Sequence, residues 1–208
     1  MAYILNPLQL AMPEFDWAAS IGPVDTSSKL FDRGARRPIP KAKIPRRLVV
    51  SSMPGFDVMC DIFELDAESI AVSDRCQKLI DSFAPGAVEY VEIEFKMPAK
   101  LEPAKSYFYV NVLAHAQALD YAKTPTTAMS EAGQKTVIHP SNGIPEWVMH
   151  PRQPSDPAIW LEVDLDAQDC VFSCREGAPF VKNALWNELF REFPGQLTEA
   201  QYAYIDER

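Results

Sequence analysis

At 208 residues and 47% hydrophobic content, the chain can bury one core or two small ones, and a net charge of -9 argues against nucleic acid and anionic membrane as partners. No run approaches the length of a membrane-spanning apolar helix. The opening MAYILNPLQLAMPEFDW lacks a basic start leading into an apolar stretch, so no export signal is expected and a cytoplasmic location is.

The charge is unevenly spread. Residues 29–47 (KLFDRGARRPIPKAKIPRR) hold eight basic side chains and one acidic, whereas residues 48–208 hold twelve basic and twenty-five acidic, so the body is the negative part. Without interleaved aromatics, the basic stretch reads as a solvated proline-rich loop and not as an RNA-contacting arm. Four cysteines, Cys60, Cys76, Cys170 and Cys174, are expected as reduced, packed thiols. Eighteen prolines against eight glycines predict stiff connections and long loops.

In chain order, residues 1–47 show no sustained period and read as an irregular lead-in that packs by Leu10, Phe15, Trp17 and Phe31. RLVVS at 47–51 is β-like and closes at Pro54-Gly55, and FDVMCDIFEL at 56–65 suits a short strand or an ordered loop. Ile70, Ala71 and Val72 then lead to Ser73, whose hydroxyl can accept from a free amide of a first helical turn, with Asp74 where the helix dipole favours negative charge. Cys76, Leu79, Ile80 and Phe83 form one apolar stripe, and Pro85-Gly86 stops the helix. Alternation over 88–95 (VEYVEIEF) predicts a half-buried strand with Glu92 and Glu94 on its outer face.

SYFYVNVL at 106–113 is apolar on both faces and so reads as a central strand, with Asn111 its one polar residue in the middle. A helical turn is expected over 116–121, a short strand over 135–139 and an ordered loop over 141–157. AIWLEVD at 158–164 and QDCVFS at 168–173 are strand-like, and residues 179–193 carry the broadest apolar helical face of the chain. The capping-box pattern at 198–201 predicts a last short helix or turn. There is an internal echo: "IFELD" before "IAVS" and a helix resembles "IWLEVD" before "CVFS" and a helix, two related strand-helix units too short to mark a domain boundary.

Glycine-rich phosphate motifs and the G-x-S-x-G elbow are absent from the sequence. Cysteine spacing does not fit a structural zinc site, so no metal and no cofactor are expected. Acidic clusters at Asp61, Glu64, Asp66 and Glu68, and at Glu162, Asp164, Asp166 and Asp169, read as exposed strand edges where every carboxylate stays ionised. Such ridges serve solubility and can also cover a basic surface.

Val72, Ser73, Asp74, Arg75, Leu79, Ile80, Pro85, Gly86 and Ala87, followed by Tyr107, Asn111, Val112, Leu113, Ala118, Leu119 and Asp120, make a V-S-D-R segment, a P-G-A turn and a Y-x-x-x-N-V-L block leading to A-L-D. In this the chain resembles a bacterial immunity-protein family, numbered eleven among immunity families, over about residues 56–208. The resemblance implies a cytoplasmic antidote that binds and blocks a secreted polymorphic toxin without catalysis. Ser73, Asp74, Gly86, Asn111 and Asp120 would then be structural motif residues.

The expected fold is α+β, a mixed and largely antiparallel sheet flanked by two helices. Residues 1–55 are expected as a Pro-rich, basic lead-in on a domain over 56–208. Glu64, Asp66, Glu68, Glu92, Glu94, Glu162 and Asp164 are the candidate partner-binding residues, for a toxin domain of basic character. The rivals are a small enzyme using cysteine, histidine or carboxylate chemistry near residues 141–157, and a component of a secretion or phage assembly.

Overall fold

The computed structural model describes residues 2–5, 7, 13–21, 47–52, 59–66, 69–97, 105–120, 122–124, 126–127, 136–137, 147–151, 153, 155–162, 180–198 and 202–205. Its elements in chain order are β1 (Ala2–Ile4), β2 (Glu14–Ile21), β3 (Arg47–Ser52), β4 (Ile62–Asp66), β5 (Ser69–Ser73), α1 (Asp74–Phe83), β6 (Val88–Lys96), β7 (Tyr107–Val112), β8 (His115–Ala116), β9 (Thr126–Thr127), β10 (Thr136–Val137), β11 (Trp147–Met149), β12 (Ile159–Glu162), β13 (Phe180–Lys182), α2 (Asn183–Glu192) and β14 (Tyr202–Ile205).

Local rules build the segment from β5 to β6. Ser73 is extended and accepts from the Cys76 amide, which caps α1, and Gly86 at φ 75 makes the turn that a side-chain-bearing residue would strain. Burial adds more than the cap does. Cys76 and Ile80 of α1 and Leu185, Trp186 and Leu189 of α2 sit in one core with Phe193. Each large side chain there is worth about 1.5–3 kcal/mol against about 1 kcal/mol for a cap.

Two six-stranded sheets share that core. The first runs β2-β3-β6-β7-β5-β4 and is antiparallel except where β3 meets β6. The second runs β11-β14-β1-β13-β12-β8, with β11 parallel to β14 and β12 parallel to β8. A short ladder joins β9 to β10. The fold is thus mixed α+β, as the sequence predicts.

Strand alternation divides the first sheet between two cores. Ile62, Val72, Val88 and Val112 face the core shared with the helices. Phe63, Leu65, Ala71, Ile93, Phe95, Tyr107 and Tyr109 face a second, aromatic core with Leu48, Val50 and Met59. There the Tyr107 ring meets Phe63 and Phe95 edge-on at 5.5 Å each. Each such contact adds about 0.5–1.5 kcal/mol beyond burial.

Several expectations are corrected. The lead-in over 1–47 is not irregular where it is described: β2 extends the first sheet beyond the expected strand at 47–51, which is β3, and β1 lies at the centre of the second. Of the helical turn expected over 116–121, residues 116–120 are described and are not helical. Leu119 instead bridges Met149, and Asp120 closes a turn by accepting the amides of Lys123 and Thr124. The loop over 141–157 contains β11, and α2 starts at Asn183 because residues 180–182 are spent on β13, while residues 199–201 of the expected later helix or turn lie outside the described residues. The strand expected over 168–173 lies outside the described residues.

Candidate functional site

The expected acidic face is built on β6. Val88 and Tyr90 pack on the shared core, while Glu92 and Glu94 further along the strand are exposed. Parallel pairing sets Arg47 opposite Glu94, and their side chains form an ion pair at 2.7 Å with the Glu94 side chain 60% exposed. Such an exposed pair is worth at most about 1 kcal/mol, so it neutralises charge more than it stabilises. Glu92 stands opposite Phe108, whose ring meets Tyr90 edge-on at 6.3 Å. Glu89 is on the other face and accepts from Asn111 Nδ2 at 2.9 Å across the ladder.

Other acidic candidates fall elsewhere. Glu64 is 3% exposed on β4, so the expectation of a solvated edge fails for it, and it cannot steer a partner. Asp66 and Glu162 belong to β4 and β12, with side chains outside the described residues, as are Glu68 and Asp164 altogether. The structure therefore brings Glu92 and Glu94 together and places Glu64 in the interior.

Asp61, also expected at an exposed edge, is buried at the start of β4. Its Oδ1 accepts from Ser73 Oγ at 2.6 Å and from Lys105 Nζ at 2.8 Å, while its backbone amide and that of Ile62 donate to Gln196 Oε1. Burial pushes the Asp61 carboxyl up, but the bonds from Lys105, Ser73 and Gln196 and the Lys105 charge outweigh it and hold it below the usual range. This node ties the α1 cap to the turn after α2. The one sequence signal for it is a single carboxylate inside the otherwise apolar run 59–63 (MCDIF).

The remaining motif residues have local roles. Asp74 pairs with Lys78 one turn on at 3.3 Å, and Asp120 Oδ1 accepts from the Ala122 amide. Burial pushes the thiols of Cys60 and Cys76 up, with Asp61 adding to both, so neither is a thiolate near neutrality. Cys170, Cys174 and His139 lie outside the described residues. Among the described residues, no three His, Cys, Asp or Glu side chains are grouped to hold a metal ion.

The chain matches the sequence model of the Immunity protein family (Imm11) over residues 17–168, about three quarters of its length. It belongs to that family. All the motif residues from Val72 to Asp120 fall inside the matched span, but its bounds differ from the expected 56–208. The match starts within β2 and ends before β13, so the first sheet's outer strands contribute to the family pattern and the C-terminal helix does not. No curated protein matches the chain. Membership in Imm11 supports an immunity-protein role, with a toxin as the implied partner.

Proposed function

We propose that this protein protects its cell by binding a cognate secreted toxin and covering the toxin's working surface, without turning over a substrate. Family membership carries this reading. The charge of the chain gives it chemistry: a body with twenty-five acidic and twelve basic side chains over residues 48–208 raises the encounter rate with a basic toxin domain. Glu92 is the steering carboxylate, with Glu94, partly offset by Arg47, further along the strand and Phe108 nearby to supply apolar contact. The site of action is the cytoplasm, where a toxin would meet its target.

The test is co-expression of the full chain with the toxin domain encoded beside it, followed by purification at rising salt. A complex that forms at low salt, loosens as ionic strength rises, and restores growth to toxin-expressing cells is the expected result. Growth rescue without any complex would refute occlusion. Reversing Glu92 and Glu94 to Lys should slow association about tenfold or more while leaving the dissociation rate nearly unchanged. An unchanged association rate removes this face from the interface.

A further inference from the structure

The two sheets follow one plan. In the first, β3-β6-β7-β5-β4 lie in that order, with β3 parallel to β6 and every other neighbour antiparallel. In the second, β11-β14-β1-β13-β12 lie in the corresponding order, with β11 parallel to β14 and every other neighbour antiparallel. One flank agrees as well: β2 runs antiparallel to β3, and Leu119 bridges Met149 of β11 antiparallel, whereas β8 beside β12 has no counterpart beside β4 among the described residues.

The register agrees to the residue along β4 and β5 against β12 and β13, while β14 slips by one residue against β1 relative to β6 against β7. Ile62 pairs with Val72 and Phe63 with Ala71 in one sheet, as Ile159 pairs with Val181 and Trp160 with Phe180 in the other. A single shift of 109 residues carries Val72 to Val181, α1 to α2, and Pro85-Gly86 to Pro194-Gly195. The same shift carries the buried Cys76, Ile80, Ala84 and Val88 to the buried Leu185, Leu189, Phe193 and Leu197. Gly86 and Gly195 have φ 75 and 73, and the turns close alike, by Ala84 N to Ile80 O and by Phe193 N to Leu189 O. The isolated bridge of Pro7 to Leu197 stands where Val112 pairs with Val88.

One strand in each sheet breaks chain order. The position that β7 fills between β5 and β6 is filled between β13 and β14 by β1, the first strand of the chain. In sequence, β1 precedes β2 just as β7 precedes the strand-like segment at Leu119. We infer that the chain is two copies of one unit in tandem, residues 2–96 and 107–205, whose first strands have been exchanged, so that β1 and β7 act as reciprocal locks. Each lock is a central strand with a neighbour on both sides, and its removal would leave two open edges in the opposite half of the molecule.

Proline at a central strand position removes a ladder donor. In the full chain, Tyr3→Pro should therefore lower amide-exchange protection at least about tenfold in β13 and β14, nearly the whole chain away, and leave β5 and β6 protected. Phe108→Pro should give the mirror pattern. Loss of protection confined to β5 and β6 in the Tyr3→Pro protein would overturn the exchange.

Should either variant not fold, interstrand proton contacts in the unaltered protein decide. Tyr3 should report Val181 and Tyr202, and contacts from Tyr3 to Val72 or Glu92 refute the inference. The duplication has its own test in a circular permutant joined from Arg208 to Met1 by about six glycine and serine residues and opened between Lys96 and Tyr107. Equivalence of the two junctions predicts one cooperative melting transition within a few degrees of the parent. Two separate transitions, or no folded state, would contradict it.

Discussion

Replacing Asp61 by Ala tests the buried node that joins the two helices. The carboxylate accepts two bonds, from Ser73 Oγ at 2.6 Å and Lys105 Nζ at 2.8 Å, in a residue that is 6% exposed. A hydrogen bond to a charged group contributes about 1.5–3 kcal/mol, so two of them set an upper range of about 3–6 kcal/mol. The Lys105 side chain is 28% exposed and recovers some water, which brings the expected cost to about 3–4 kcal/mol. Urea unfolding at pH 7 should show this as a lower midpoint at unchanged slope. Adding Lys105→Met to Asp61→Ala should return about 1 kcal/mol, because no ammonium is then left without its carboxylate.

The acid limb provides a second reading of the same group. With the native carboxyl held below its ordinary value of 3.8, its contribution is complete above that value and is lost as pH falls through the native one. Below pH 3.8 the parent protein should thus lose stability more steeply than Asp61→Asn. A cost of less than about 1 kcal/mol for Asp61→Ala, or parallel acid limbs, would show that the node is not a stabilising one.

Leu189, fully buried between the sheets, should cost about 2–5 kcal/mol when cut to Ala, read by urea unfolding. Gly86→Ala and Gly195→Ala should each cost about 1–2 kcal/mol in the same assay, since a Cβ at either position meets no atom within 4 Å and only the left-handed backbone resists it. Mass mapping after treatment with a thiol reagent at pH 7 should find Cys76 unlabelled until the protein unfolds, because its thiol is both sealed from solvent and pushed up by burial. Rapid native labelling of Cys76 would mean that α1 opens far more readily than its packing allows.

Where the deciding forces are local, the fold was legible in the residues. Ser73, the apolar stripe, Pro85-Gly86 and the period-two run after them lie within one short stretch, and each reports on its immediate neighbours. The three residues of β1 carry no period at all, and only pairing with strands near the other end of the chain makes them a strand. Residues 116–121 have good helix formers, but the tertiary bonds from the Asp120 amide to Val148 O and from the His150 amide to Ala118 O override that preference. The acidic face was legible at Glu92 and Glu94, where alternation marks the outer side. It was misread at Asp61 and Glu64, because a carboxylate with a buried partner and one in water look the same in sequence. The echo between the two halves was visible as "IFELD" and "IWLEVD", the segments of β4 and β12, but was aligned to residues 170–173, ahead of the actual β13.

The pairing of Ala2 with Lys182 sets an order of events during synthesis. Ala2 must wait for Lys182 to leave the ribosome, roughly ten to forty seconds later at ordinary elongation rates, before their sheet can close. Through that interval β1 is without both of its sheet neighbours. Bulky fusions placed ahead of Ala2 would therefore lower the yield of native protein more than fusions placed on an ordinary surface tail.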